Sequence, residues 1–209
     1  MNNLILLRHG QSQWNLENRF TGWEDVPLTD QGIEEAKIAG QLMKKSEIQI
    51  DVIFSSVLQR ATKTAELAIK EMNLEQFFSN GQVVMTKDHS LNERDYGDLV
   101  GLNKKETANK YGKEQVHIWR RSYDIPPPGG ESLEDVLTRV KPYFVRFIEP
   151  IINKGQNVLI VAHGNSLRAS LILVGLYKAE EISKIEIPTG IPFVINYESG
   201  KVMNSKYLS

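Results

Sequence analysis

The sequence has no cysteine among its 209 residues. This absence excludes a disulfide scaffold, a cysteine nucleophile and every metal site built from thiolates. An excess of one charge is also lacking, because 25 lysines and arginines nearly balance 26 aspartates and glutamates. Near-neutrality argues against a broad surface for nucleic acid, since non-specific phosphate binding needs a basic face. Any site for an anionic ligand must therefore be local.

Long hydrophobic runs are missing as well. The first apolar run, residues 4–7, is far too short for a membrane span, and no basic segment precedes it as in a secretory signal. We therefore expect a cytoplasmic protein with neither a membrane nor a nucleic-acid partner. The 41% of hydrophobic residues can form a real core, and no internal repeat is visible, so we predict a single domain over residues 1–209.

Several common catalytic motifs are absent from the chain. There is no H-E-x-x-H pair for zinc, no G-x-S-x-G turn for a serine nucleophile and no P-loop for a nucleotide phosphate. The usual serine hydrolase and nucleotide-phosphate hypotheses therefore lack their motifs, and we predict that no metal is bound.

Apolar runs and helical spacing predict an α/β fold. Strands are expected at 4–7 and 157–162, which are nearly all apolar as in strands buried on both faces, at 51–55 and, more weakly, at 82–86. Helices are expected at about 29–44, 57–72, 132–151 and 166–176, with Pro142 and Pro150 kinking or ending the third, and a late hairpin at 193–197 and 201–207 around Ser199-Gly200. Alternating strands and helices predict a three-layer sandwich: a mostly parallel central sheet with helices on both faces.

Two of the predicted strands end in the same way. The first is followed by His9-Gly10 and the run at 157–162 by His163-Gly164. Ligands of open α/β sheets bind beyond the carboxyl ends of the strands, so neighbouring strands would bring both histidines to one site. A lone histidine at a strand end is more often structural. Two matched junctions favour function, because glycine lets backbone and ligand approach closely.

Arginine accompanies the histidines. Arg8 and Arg60 follow predicted strands, and the remaining candidates are Arg94, Arg120, Arg121 and Arg168. Guanidinium groups match phosphate oxygens, although scattered arginines alone would be interpreted as solvated surface residues. Like charge disfavours protonation of a nearby histidine and leaves a neutral imidazole that can attack phosphorus. The pattern indicates a phosphohistidine enzyme.

Proton transfer requires a further group, and Glu93 in the predicted loop at 92–97 is a candidate. Spacing alone does not distinguish Glu93 from Asp95, and a loop carboxylate paired with Arg94 is the plain structural alternative. His89 and His117 have no comparable context, so we interpret both as surface or packing residues.

Longer strings carry a family resemblance. Arg8-His9-Gly10 with a distant His163-Gly164 resembles the histidine phosphatase superfamily. The segments 8–12, 14–15, 17–23, 92–94, 96–97, 101–104, 119–122, 162–168 and 188–192 look like those of its cofactor-dependent phosphoglycerate mutase family, in the same order. The resemblance runs from Leu4 to about Leu208 and implies interconversion of 3-phosphoglycerate and 2-phosphoglycerate, primed by 2,3-bisphosphoglycerate.

The resemblance also implies roles for individual residues. His9 would be phosphorylated during turnover, His163 would stabilise the transfer, and Glu93 would be the acid and base for the substrate hydroxyl. Arg8, Asn15 and Arg60 would hold the transferring phosphate with His163. The rest of the phosphorylated small-molecule substrate would contact Thr21, Gly22, Tyr96, Lys104, Arg120, Arg121, Gly164 and Asn165.

This chain departs from the larger family members in two places. It lacks a segment between its proline run and Gly130-Glu131-Ser132, and it stops at Ser209. We therefore expect a monomer or weak homodimer, a more open site and raised phosphatase side activity. Two other hypotheses are a phosphatase of the same superfamily and a non-catalytic phospholigand-binding protein, the latter disfavoured because His9, Glu93 and His163 are all present.

Overall fold

The computed structural model describes all 209 residues. The strands are β1 (Asn2–Arg8), β2 (Val52–Ser55), β3 (Phe78–Ser79), β4 (Gln82–Val83), β5 (Thr86–Lys87), β6 (Val158–Ala162), β7 (Phe193–Glu198) and β8 (Lys201–Tyr207). The helices are α1 (Gln13–Leu16), α2 (Asp30–Lys45), α3 (Gln59–Met72), α4 (Lys104–Tyr111), α5 (Lys113–Arg121), α6 (Leu133–Tyr143), α7 (Glu149–Asn153), α8 (Gly164–Leu173) and α9 (Ala179–Ile182). None of them is long and apolar enough to cross a membrane.

Six strands form one sheet in the order β5-β2-β6-β1-β7-β8. The first four are parallel, whereas β7 is antiparallel to its neighbours β1 and β8. β1 and β6 are direct neighbours, and Arg8 is paired with Ala162 at their carboxyl ends. The predicted mostly parallel α/β fold is confirmed, and so is the adjacency of the two strands that precede the histidines.

Helices cover both faces of the sheet. Leu4 and Leu6 of β1 point into a core of 22 buried residues shared with α6 and α8, whereas Ile5 and Leu7 point into a core of 16 residues on the side of α2 and α3. Alternate residues of one strand thus enter opposite cores, which explains why β1 and β6 need continuous apolar runs.

The predicted helix after Ser132 forms one helical run over residues 133–153, with a π-helical stretch between its two prolines. α6 ends one residue after Pro142 and passes into a π-helical stretch, Phe144–Ile148, because proline has no N–H to donate to the preceding turn. Pro150 follows this stretch after one residue, so its missing N–H also leaves a carbonyl of the preceding turn without a helical donor.

Three sequence predictions differ from the structure in their bounds. The run at 82–86 is split, because Gln82–Val83 pairs with β3 in a separate two-stranded sheet and only Thr86 joins the central sheet. α3 begins at Gln59 rather than at 57, since Leu58 is extended at the N-cap, and α8 spans Gly164–Leu173 instead of 166–176. The late hairpin is confirmed, with Ser199 and Gly200 at φ of 52° and 75° in its turn.

Candidate active site

The rings of His9 and His163 meet at the carboxyl edge of the sheet. Their centroids are 4.9 Å apart at an interplanar angle of 60°. Only 3% of His9 and none of His163 is exposed. The backbone N–H of His9 donates to the carbonyl of Ala162 at 3.0 Å, so the two strand ends hold the pair together.

A backbone carbonyl determines the tautomer of His9. Its Nδ1 lies 2.7 Å from the Gly10 carbonyl oxygen, which can only accept a hydrogen bond. The hydrogen-bond pattern therefore assigns the proton to Nδ1. Nε2 keeps its lone pair, as a nucleophile requires.

A hydrogen bond with Ser56 determines the tautomer of His163. The Ser56 Oγ lies 2.7 Å from His163 Nε2 and accepts a bond from the N–H of Leu58 at 3.3 Å. The buried hydroxyl has no other acceptor, so its proton goes to Nε2 and the ring proton is on Nδ1. Buried His163 Nδ1 has no hydrogen-bond partner within the protein. It is thus a donor available to a ligand oxygen.

Both imidazoles are neutral at pH 7. Burial first, and then the charges of His163, Arg60 and Arg8, hold the pKa of His9 well below its usual value. Burial together with Arg60 and Arg8 lowers the pKa of His163 in the same direction. The neutral, nucleophilic form of His9 is therefore the populated one.

Backbone carbonyls hold the two arginines nearest the histidines. The guanidinium of Arg60 donates to the carbonyls of Gly22 and Glu24, both at 2.8 Å, and that of Arg8 to the carbonyl of Ile187 at 2.8 Å. Burial lowers the pKa of Arg60 to about 10, so it remains charged at pH 7. Neither arginine forms a salt bridge with a carboxylate.

The structure separates the two candidate carboxylates. Glu93 lines the cavity described below, and its Oε1 accepts bonds from the backbone N–H of Arg94 at 2.7 Å and from Asn165 Nδ2 at 2.9 Å. Asp95 Oδ1 instead accepts from the N–H of Gly97 at 2.9 Å and stabilises a turn. Burial raises the pKa of Glu93, but those bonds and the charges of Arg8 and Arg60 outweigh it, so the pKa lies below its usual value.

Two residues missed by sequence reasoning fix the loop that carries Glu93. Arg139 forms a two-pronged salt bridge with Glu131 at 2.7 and 2.9 Å and donates to the Glu93 carbonyl at 2.9 Å. Trp23 Nε1 donates to that same carbonyl at 2.6 Å. The backbone of Glu93 is therefore held from two directions, and its carboxylate is positioned independently of any ligand.

The glycines after the two histidines have different neighbours. A Cβ on Gly10 would lie 2.1 Å from the carbonyl oxygen of Gly32 in α2, so here glycine allows a helix, not a ligand, to approach. A Cβ on Gly164 would lie 3.7 Å from Glu93 Oε2 and 3.9 Å from Arg8 Cζ, which is ordinary contact at the cavity wall. The close approach of backbone at Gly10 is thus that of α2, whereas Gly164 lines the cavity.

A cavity of about 250 Å³ opens above His9. Every residue to which the resemblance assigns a role lines it except His163, whose ring lies against that of His9. The lining residues are Arg8, His9, Asn15, Thr21, Gly22, Arg60, Glu93, Tyr96, Lys104, Arg120, Arg121, Gly164, Asn165, Arg168 and Glu186. Arg168 was a candidate arginine in the sequence but had no assigned role, and Glu186 was not predicted. The walls carry many cationic side chains and few carboxylates, which suits a ligand with several negative charges.

A further arginine, Arg94, contacts Tyr96 of the cavity wall without lining the cavity itself. Buried Arg94 lies over the ring of Tyr96, 4.9 Å from its centroid, and Nη2 of Arg94 is 3.3 Å from the Tyr96 hydroxyl. Burial raises the pKa of Tyr96, but the charge and hydrogen bond of Arg94 together with the charge of Lys104 outweigh it, and the pKa falls below its usual value. Burial, opposed by Tyr96 and aided by Arg120, lowers the pKa of Lys104.

His89 and His117 are both exposed and lie outside this cavity, as predicted from their sequence context. The structure has no group of three or more histidine, aspartate or glutamate side chains that could share a metal ion.

The site geometry agrees with comparisons to known proteins. The model of the histidine phosphatase superfamily (branch 1) matches residues 4–207. The chain belongs to this superfamily. Curated relatives named 2,3-bisphosphoglycerate-dependent phosphoglycerate mutase include those of Methylocella silvestris, 48% identical over 97% of this chain and 96% of the relative, and of Xanthobacter autotrophicus, 50% identical over 97% and 95%.

Solved structures of the superfamily share the fold. A mycobacterial glucosyl-3-phosphoglycerate phosphatase aligns with a TM-score of 0.78 at 25% identity, covering 99% of this chain and 97% of the other. The alpha-ribazole phosphatase of Shigella flexneri aligns with a TM-score of 0.77 at 26% identity, covering 99% and 95%. The same superfamily scaffold therefore also occurs in proteins named for hydrolysis.

Proposed function

We propose that this enzyme interconverts 3-phosphoglycerate and 2-phosphoglycerate, as in glycolysis and gluconeogenesis, through a phosphohistidine at His9 primed by 2,3-bisphosphoglycerate. Relatives that are 47–50% identical over nearly the whole chain carry the name of this activity. Such a role would place the protein in the cytoplasm.

One observation carries the proposal. A neutral His9 with a free Nε2 faces a cavity that has arginines at both the inner and the outer end. A simple phosphatase needs to bind only the phosphate that it removes. A mutase must also bind the second anionic end of a bisphosphorylated acid while the first phosphate reacts, and Arg120, Arg121 and Lys104 are available for that purpose.

In the first transfer, the phosphoryl group moves from His9 Nε2 to the 2-hydroxyl of 3-phosphoglycerate. The O–P bond forms as the N–P bond breaks, and the hydroxyl proton passes to Glu93. The lowered pKa of Glu93 keeps it ionised and ready to accept that proton.

The bisphosphorylated product then turns within the cavity and presents its 3-phosphate to His9. The N–P bond forms, the ester P–O bond breaks, and the leaving oxygen takes the proton that Glu93 has just received. 2-Phosphoglycerate is released, and His9 is again phosphorylated.

Charge stabilisation accompanies both transfers. We assign Arg8, Asn15, Arg60 and the Nδ1–H of His163 to the equatorial oxygens of the phosphoryl group, where donors fixed in advance stabilise developing charge. Binding of the remaining carboxylate and phosphate is assigned to Thr21, Gly22, Tyr96, Lys104, Arg120, Arg121, Gly164 and Asn165. No step in this scheme requires a metal ion, so we expect full activity in the presence of chelator.

A coupled assay tests the proposal. Formation of 2-phosphoglycerate from 3-phosphoglycerate should depend on added 2,3-bisphosphoglycerate. Release of inorganic phosphate without isomerisation would instead support a phosphatase, the second candidate, which the similarity to solved phosphatases favours.

We further propose that residues 1–209 fold as one domain and that the protein is a monomer or weak homodimer. Sedimentation velocity over a range of concentrations measures the oligomeric state, and a single cooperative unfolding transition seen by two probes is expected for one domain.

A further inference from the structure

Glu186 is a carboxylate in the wall of a cavity that is otherwise suited to anions. It belongs to the lining, and its side chain pairs with Arg121 and, at 3.8 Å, with Arg168. The residue is exposed, with a side-chain relative exposure of 67%, so it lies at the mouth of the cavity. None of the roles proposed above uses it.

The backbone that carries Glu186 is held in place. The carbonyl of Ile185 accepts a bond from Arg168 Nε at 2.9 Å, that of Glu186 from the Tyr207 hydroxyl at 3.2 Å, and that of Ile187 from Arg8 at 2.8 Å. Three consecutive carbonyls are therefore fixed. Only the Glu186 side chain is free to move, and its carboxylate can separate from Arg121 and Arg168 by side-chain rotation alone.

Arg121 is among the residues that the proposed function assigns to the outer anionic end of the substrate. In this structure Arg121 forms an ion pair with Glu186, whereas the neighbouring Arg120 has no carboxylate partner. A substrate carboxylate or phosphate at that position would meet the same guanidinium groups and would repel the Glu186 carboxylate.

We propose that Glu186 is an internal counter-ion that the outer anionic group of the substrate displaces, so that it sets the affinity for ligands with two anionic ends. This inference rests on the proposed function, because it needs a substrate with a second anionic group. Ligands with a single anionic group, such as inorganic phosphate, bind beside His9 and do not compete with Glu186. The carboxylate thereby weakens binding of the phosphoglycerates and speeds their release.

Isothermal titration calorimetry on the purified, unphosphorylated protein tests the proposal. Glu186→Gln keeps the size of the side chain and removes its charge. We expect 3-phosphoglycerate to bind this variant about threefold to fivefold more tightly than the parent protein, which is the range of an exposed ion pair. Inorganic phosphate should bind both proteins equally.

Glu180→Gln is the matched control, because it makes the same change in net charge at an exposed residue of α9 that has no ion pair. Unchanged or weaker binding of 3-phosphoglycerate by Glu186→Gln would overturn the inference. So would equal tightening for inorganic phosphate, which would indicate a general field effect. If neither parent nor variant bound 3-phosphoglycerate, the proposed function itself would fail, and this inference with it.

Discussion

The inner and outer ends of the cavity hold their arginines in different ways. Beside His9, Arg8 and Arg60 donate to neutral backbone carbonyls. At the mouth, Arg121 and Arg168 contact the carboxylate of Glu186. A carbonyl orients a guanidinium without cancelling its charge, whereas a carboxylate does both.

This difference matches what each end must do in the proposed reaction. The inner end stabilises a charge that develops only during transfer, so its cations need full charge and fixed positions before the substrate arrives. The outer end binds a group that does not react and must leave again, and a displaceable counter-ion suits that task. The comparison predicts that changes at the inner end lower kcat and changes at the outer end alter affinity.

The largest effect is expected at the inner end from His9→Ala. Loss of the nucleophile should lower kcat by about 10⁴-fold or more and abolish acid-labile labelling by the bisphosphate. Rapid-quench labelling and steady-state kinetics measure the two effects. His89→Ala, at an exposed histidine, is the control, and labelling that persisted in His9→Ala would place the nucleophile elsewhere.

Glu93→Gln should lower kcat by about 10³-fold, because an amide of the same shape cannot accept the hydroxyl proton. The protein should keep its affinity for inorganic phosphate, since the amide oxygen can still accept the bonds from Arg94 and Asn165. Asp95→Asn is the matched control two residues away and should remain active. Equal losses in both variants would argue that the loop, and not the Glu93 proton transfer, is what matters.

Ser56→Ala tests the tautomer of His163. Without the hydroxyl, Nε2 loses its only partner, and we expect kcat to fall about tenfold, with KM for 3-phosphoglycerate unchanged, from the loss of one buried hydrogen bond. The control is Ser170→Ala, an equally buried serine of α8 whose hydroxyl bonds only to the Ser166 carbonyl. A rise in KM with constant kcat would contradict a role at the inner end.

The buried histidines make stability depend on pH. Their pKa values are lowered in the folded state, so below the ordinary histidine pKa of about 6.5 the unfolded chain binds more protons. Stability is complete above that pH and falls as the pH decreases, by up to about 1.4 kcal/mol per pH unit for each histidine. Urea unfolding between about pH 5 and pH 7 measures this slope, which His9→Gln should reduce and His89→Gln should not.

The smallest effect is expected at the outer end from Arg120→Gln. The side chain is exposed and has no carboxylate partner to lose, so the folded protein should be equally stable. KM for 3-phosphoglycerate should rise about fivefold with little change in kcat. Steady-state kinetics beside Arg146→Gln, at an exposed arginine of the π-helical stretch, provides the comparison.

The inner end was largely predictable from the sequence. The His9-Gly10 and His163-Gly164 junctions can be recognised because each follows an apolar run that is typical of a buried strand. Carboxyl ends of neighbouring parallel strands meet by geometry. Glu93 was harder, since its loop position did not separate it from Asp95 until the bonds from Arg94 and Asn165 were known.

Residues whose partners lie far away in the sequence could not be predicted as site residues. Arg139 supports Glu93 from 46 residues away, and Ser56 contacts His163 across 107 residues. Glu186 has no local pattern that separates it from any exposed glutamate, because only the fold brings it to Arg121 and Arg168. Ser56 had one available signal, which is its place at the carboxyl end of β2 beside β6.

The contact between Gly10 and Gly32 limits which substitutions the chain can accept at these two positions. A side chain on either residue would bring its Cβ to 2.1 Å from a backbone oxygen of the other segment, so neither position tolerates even alanine without moving α2 away from the His9 loop. In a library that randomises both positions, active clones should retain glycine at both, while the exposed residues of α2 vary freely. Glycine at the start of α2 is thus required wherever this His9 loop is kept, although that part of the helix contributes no side chain to the reaction.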